Sequence, residues 1–209
     1  ALGDYLDSYT ESPERQLEAL RMLIDSDAVL LWGNHDLAYL QRSPYDCISG
    51  YQAEMAAEFR LQLMSGLNRF QAAFAVDGWL CTHAGMHKRI LRQMRAGTGD
   101  VDSIADHLNR KLSEALECGD FDNAIFNISM CRGGYHRFGG IFWHDFRYEE
   151  GLATEVKQIF GHTRTEQPEL SASYVALDTS GNTATAFVFD TSENRIAPLP
   201  LPSRQEKGI

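Results

Sequence analysis

Four short stretches join a glycine to side chains that bind cations or move protons: Gly3-Asp4, Gly33-Asn34-His35-Asp36, His83-Ala84-Gly85 and Gly161-His162. Asp and Asn oxygens with two imidazoles form a mixed O/N donor set, which suits Mn, Fe or Zn better than Ca or Mg. Any one such corner arises easily by chance; four of them need a fold that brings them to one place.

The neighbouring segments can do this. Ala28–Trp32, Trp79–Thr82 and Lys157–Phe160 read as short buried strands, and each runs straight into one of the corners. Open α/β sheets place ligands at such strand ends. Phe70–Val76 reads as a further strand, joined to 79–82 by an Asp77-Gly78 hairpin turn. Helices are expected over 12–24, with Ser12 as cap and Pro13 first, over 51–67, and over 103–118, where Ile104, Leu108, Leu112 and Leu116 share a face. Residues 131–140 read as an ordered loop, and 174–178 with 184–190 as a hairpin around Gly181-Asn182. Prolines 198, 200 and 202 suggest an extended tail over 193–209 after one mixed α/β domain over 1–192.

Composition narrows the function classes. The chain has 209 residues, enough to bury roughly 70% of its unfolded surface without staples. A net charge of -10 argues against a nucleic-acid partner, which needs clustered Lys and Arg. No 18-residue apolar run marks a membrane span, and no export leader is visible. Cys47, Cys81, Cys118 and Cys131 are widely spaced, as expected of reduced thiols in a cytoplasmic protein. His87 and His107 read as solvated, and His136 and His144 as cleft-wall or surface residues. Cys81 reads as a packed core thiol.

Gly3-Asp4-Tyr5-Leu6-Asp7, Gly33-Asn34-His35-Asp36, Thr82-His83-Ala84-Gly85 and Gly161-His162-Thr163 resemble, in order and spacing, the motifs of calcineurin-like metallophosphoesterases. The likeness is to the branch of Ser/Thr protein phosphatases and symmetric dinucleoside-tetraphosphate hydrolases, over residues 3 to about 190. It implies an α/β fold of two mixed sheets packed as a sandwich flanked by helices. It also implies two divalent ions (Mn, or Fe or Zn), with Asp4 bridging them and Asn34, His83 and His162 completing one site. His35 would protonate the leaving oxygen, its ring held by Asp7 or Asp36. Two departures stand out. The family's Asp-x-His is absent, so a preceding strand is expected to be missing from the chain. Ser8 replaces the phosphate-clamping Arg, leaving Arg132, Arg137, Arg147 or Arg164 to take its place, with the 132–137 loop the first choice. The implied activity is hydrolysis of a phosphomonoester, on a phosphorylated small molecule or phosphoprotein, by metal-activated hydroxide. The alternatives are a nucleotide or dinucleoside polyphosphate hydrolase and a non-catalytic metal- or phospholigand-binding module.

Overall fold

A computed structural model describes residues 1–45, 48–94, 100–180 and 186–199. Cys47, the Gly181-Asn182 turn, Ala184, Pro200 and Pro202 lie outside the described residues.

The protein is an α/β fold built on a mixed five-stranded sheet. In chain order its strands are β3 (Ala73–Val76), β4 (Trp79–Thr82), β5 (Lys157–Phe160), β6 (Glu169–Leu170) and β7 (Tyr174–Ala176), arranged in space as β3-β4-β5-β7-β6. β4, β5 and β7 run parallel, with antiparallel partners at both edges. Two smaller sheets accompany it: β1 (Leu30–Leu31) parallel to β2 (Phe70–Gln71), and the hairpin β8 (Ala186–Asp190) with β9 (Arg195–Leu199). Asp77 and Gly78 both take positive φ, 48° and 77°, as the two-residue turn joining β3 to β4 requires.

Alternation along β4 divides the interior. Leu80 faces the larger core with Leu63, Leu108, Leu112 and Phe142, whereas Trp79 and Cys81 face a smaller one with Leu31, Ile159 and Val175. Helix α5 (Val101–Cys118) covers the first face over β3 and β4, with Ile104, Leu108 and Leu112 buried. Phe189 of β8 and Ile196 of β9 pack on the second face, Phe189 edge-on to Trp79. Helices α1 (Pro13–Asp25) and α3 (Ala56–Ser65) pack together beside the first core.

Several sequence expectations are corrected here. Ser12 starts α1 through its carbonyl, which accepts the Gln16 N–H at 3.1 Å, and not through its hydroxyl. The strand over 70–76 is broken because the Asn109 side-chain oxygen takes the Ala72 and Ala73 N–H groups, sending β2 to one sheet and β3 to another. β7 and β8 do not pair. β7 lies between β5 and β6, and β8 turns back through Thr191–Asn194 onto residues 195–199, which were expected in the tail. Two short helices were not anticipated, α2 (Asn34–Ala38) and α4 (Lys88–Gln93). No described helix is long and apolar enough to cross a membrane.

The segment from 127 to 149 has little regular structure, and the Glu149 side chain ties several of its turns together. The Glu149 side chain, 5% exposed, accepts the Gly139 N–H at 2.6 Å, the Asp145 N–H at 3.0 Å and His144 Nδ1 at 3.2 Å. Burial opposes its charge, but these donors outweigh that and hold its carboxyl down to about 2. The stabilisation is therefore complete above the ~4.3 of an unfolded glutamate and is lost as pH falls toward about 2. Glu149→Gln should lose ~1–3 kcal/mol at pH 7. Its deficit relative to the parent in urea unfolding should shrink between pH 5 and pH 2.5. A deficit constant with pH would refute this role.

Candidate functional site

The sheet topology gathers the four corners. Adjacent parallel strands β4 and β5 end at Thr82 and Phe160, so His83 and Gly161-His162 leave the sheet side by side, with the Gly161 N–H donating to the His83 carbonyl at 2.8 Å. β1 ends at Leu31 and delivers Gly33-Asn34. Residues 1–2 run beside β1, with the Leu31 N–H donating to the Ala1 carbonyl at 3.0 Å, and this brings up Gly3-Asp4. The two chain segments cross too closely for side chains. A Cβ on Gly3 would lie 2.5 Å from the Gly33 nitrogen, and one on Gly33 would lie 2.2 Å from Asp4 Oδ1.

Four donors converge where the corners meet. His83 Nε2 lies 3.0 Å from Asn34 Oδ1, 3.1 Å from His162 Nδ1 and 3.4 Å from Asp4 Oδ2. His83 Nδ1 donates to the Leu2 carbonyl at 2.6 Å; with the neutral ring this leaves the Nε2 lone pair turned into the cluster. Asp4 and His162 hold left-handed φ values of 57° and 65°, which non-glycine residues adopt only under constraint. Asn34 and His83 are fully or almost fully buried, and the Asn34 amide nitrogen and His162 Nε2 have no hydrogen-bond partner. The electrostatics reflect this crowding. Burial and the neighbouring His83 push His162 well below the ordinary histidine range. His83 is raised, because Asp4 outweighs the desolvation that opposes its charge. Asp4 is held below the carboxylate range despite burial, chiefly by His83. Asp4, His83 and His162 can hold a metal ion: neighbouring ligands on a cation with bonds of ~2.1 Å lie about 3.0–3.4 Å apart.

Beside this cluster stands an acid with its support. His35 Nδ1 bonds Asp7 Oδ2 at 2.9 Å, with Asp7 fully buried and 17% of the His35 side chain exposed. The Tyr39 hydroxyl also donates to Asp7, and Gln52 Nε2 reaches it at 3.4 Å. Burial works against a charged His35, but the bond to Asp7 and the charge of Asp4 prevail and raise its pKa. With Nδ1 taken, Nε2 is the nitrogen left to meet a ligand.

Asp36 has a different task from ring support. Its carboxylate accepts the backbone N–H groups of Asp4 at 2.8 Å, Tyr5 at 2.9 Å and Gly33 at 3.0 Å, pinning two corners together. Burial and the nearby Asp4 charge raise its pKa, against the pull of those donors.

The arginines separate. Arg132 comes closest to the cluster: one guanidinium nitrogen donates to Thr163 Oγ1 at 3.0 Å, next to His162, and Nε meets Asp145 at 2.8 Å. Arg164 is exposed and lies over the Tyr9 ring. Arg147 is engaged by Glu169 at 2.6 Å, and Arg137 is an exposed loop residue with no contact to the cluster. His87, expected to be solvated, is 5% exposed and stacked on Phe138; His144 is buried on Glu149; His136 is exposed. Sequence reasoning missed Tyr39, Gln52 and the Leu2 carbonyl, which act through contacts 13 to 81 residues distant and carry no local signal.

No family model and no curated protein matches the chain. Solved structures do. A cold-active protein tyrosine phosphatase of a psychrophilic Shewanella species has a TM-score of 0.56 at 12% identity, over 95% of this chain and 68% of that one. A point mutant of a cold-active protein tyrosine phosphatase has a TM-score of 0.57 at 14% identity, over 95% and 68%. A further structure of a cold-active protein tyrosine phosphatase has a TM-score of 0.58 at 15% identity, over 95% and 66%. This chain thus spans about two thirds of their length, and at such identities the likeness is one of fold. Two expectations are overturned. The similar structures are described as protein tyrosine phosphatases, so the calcineurin-like assignment, with its Ser/Thr phosphatase and dinucleoside-tetraphosphatase branch, does not stand. The two-ion cofactor of Mn, Fe or Zn falls with it, and among the described residues the side chains form a single metal-ligating group. What the comparisons establish is that this chain shares its fold with proteins described as protein tyrosine phosphatases.

Proposed function

We propose that this chain hydrolyses phosphoric monoesters, the phosphoryl group seated between the Asp4–Asn34–His83–His162 cluster and His35. The observation that carries this reading is the His35–Asp7 pair, a proton donor with a buried carboxylate behind it, placed next to four convergent polar donors. The fold neighbours described as protein tyrosine phosphatases support an aryl phosphate as the first substrate to try.

The donor set fits one divalent cation, held by Asp4, Asn34, His83 and His162; when bound, such an ion polarises a phosphoryl oxygen and makes a nearby water more acidic. The chain's own residues do the rest. Leu2 fixes the tautomer of His83, and Asp36 holds the Asp4 corner in place. Arg132, oriented by Thr163 and Asp145, offers guanidinium N–H groups to the phosphate. Water adds to phosphorus, the bond to the leaving oxygen breaks, and His35 passes its proton to that oxygen, yielding an alcohol or phenol and inorganic phosphate. Tyr39 and Gln52 keep Asp7 in place behind the ring.

A cysteine nucleophile finds no support in Cys81 or Cys131. Cys81 is buried and pushed up to about 11 by desolvation, and burial also raises Cys131, whereas a nucleophilic thiol needs a depressed pKa. The test is to offer the purified chain an aryl phosphate, an alkyl phosphate and a dinucleoside polyphosphate, and to follow phosphate release. Turnover of a monoester is expected. Turnover of the dinucleoside polyphosphate alone favours the nucleotide reading, and binding without turnover favours a non-catalytic module.

A further inference from the structure

We propose that Tyr9 and Arg164 form the leaving-group subsite of this centre and select flat aromatic phosphate esters over alkyl ones. The proposal rests on the phosphomonoesterase reading above. Tyr9 lies two residues beyond Asp7, which supports the proton donor, and Arg164 lies two residues beyond His162 of the polar cluster. The two segments meet through these side chains, the Arg164 Cζ standing 5.9 Å from the Tyr9 ring centre.

Neither residue is there for the core. Tyr9 is 66% exposed and Arg164 is also exposed, so the pair contributes little to folding. Its position is nevertheless defined. The Tyr9 ring passes close to Gly50, where a Cβ would lie 3.4 Å from the Tyr9 Cζ and hydroxyl and 3.5 Å from the Asp7 Cβ. Tyr51, next to Gly50 and 40% exposed, stacks on Tyr39 at 4.6 Å and 15°, and Tyr39 in turn donates to Asp7. Aromatic surface therefore lies against Asp7, behind the His35 ring, and the Arg164 guanidinium meets it at Tyr9.

That combination discriminates by chemistry. A phenolic leaving group can stack on the Tyr9 ring in an offset arrangement while Arg164 turns to the phosphate dianion. An alkyl ester gains only the charge contact. Selectivity for aryl over alkyl should therefore depend on Tyr9, while Arg164 should serve both esters.

The test compares two peptides of one sequence, carrying phosphotyrosine or phosphoserine, on the parent chain and on Tyr9→Ala, Tyr9→Phe and Arg164→Ala. Tyr9→Ala should cut the phosphotyrosine-to-phosphoserine ratio of kcat/KM roughly 3- to 10-fold, mainly through KM for the aryl peptide. Tyr9→Phe should keep the ratio, because it keeps the ring. Arg164→Ala should lower kcat/KM for both peptides. An unchanged ratio in Tyr9→Ala, with the parent active, overturns this subsite and leaves the phosphomonoesterase reading intact. A parent inactive on both peptides overturns both. Circular dichroism spectra matching the parent exclude misfolding as the cause.

Discussion

His35→Ala should lower kcat on a phosphomonoester by about 10²- to 10⁴-fold, or ~3–5 kcal/mol of barrier, while KM changes little. Among the described residues, the side chain is the proton donor beside the cluster with a buried carboxylate on its far nitrogen. Removing it leaves Asp4, Asn34, His83 and His162 in place, so cation binding should persist. The fold should persist too, because His35 is the second residue of α2 and the Asp36 bonds at the base of that helix are untouched. Steady-state kinetics with metal content measured on the same sample decide the matter. A variant within threefold of the parent would remove His35 from the chemistry.

Asp36→Ala should cost stability, by ~3–5 kcal/mol. The carboxylate is completely buried, and its loss strands the N–H groups of Asp4, Tyr5 and Gly33 without acceptors. It would also release Asp4 from the left-handed backbone that points its carboxylate at His83. Asp36→Asn, which keeps one acceptor oxygen, should fall between parent and Ala. Urea unfolding measures this directly, and an Ala variant within 1 kcal/mol of the parent would show that the corners hold together without it.

How legible the fold was in the sequence depended on the range of the forces involved. Helix α5 follows from its apolar stripe at 104, 108 and 112, and the β3–β4 hairpin follows from Asp77-Gly78, since both signals are contained in a few adjacent residues. The partner of β8 was not legible. The choice between β7 and β9 depends on β7 filling the gap between β5 and β6, a contact spanning the whole sheet. The break between β2 and β3 depends on the single Asn109 oxygen on a distant helix.

The candidate site shows the same division. Strand-end glycine corners marked Asp4, Asn34, His83 and His162 as residues that could meet, and the sheet brings them within reach of one another. Sequence left Asp7 and Asp36 as equal candidates for the ring of His35; only the three backbone donors around Asp36 separate their tasks. Arg132 and Arg137 lie in one loop, yet only Arg132 turns inward, because Thr163 and Asp145 hold its guanidinium. His87 reads as solvated until Phe138, more than fifty residues later, covers its ring. The resemblance to a two-ion family rested on the order and spacing of the motifs, and these do not supply the ligands of a second ion.

The most direct test is aryl phosphate turnover by the parent chain and by His83→Ala, measured on the same preparations. The parent should release phosphate, and His83→Ala, which opens the centre of the polar cluster, should fall to near zero. No turnover in the parent, or equal turnover in the two proteins, would contradict the account.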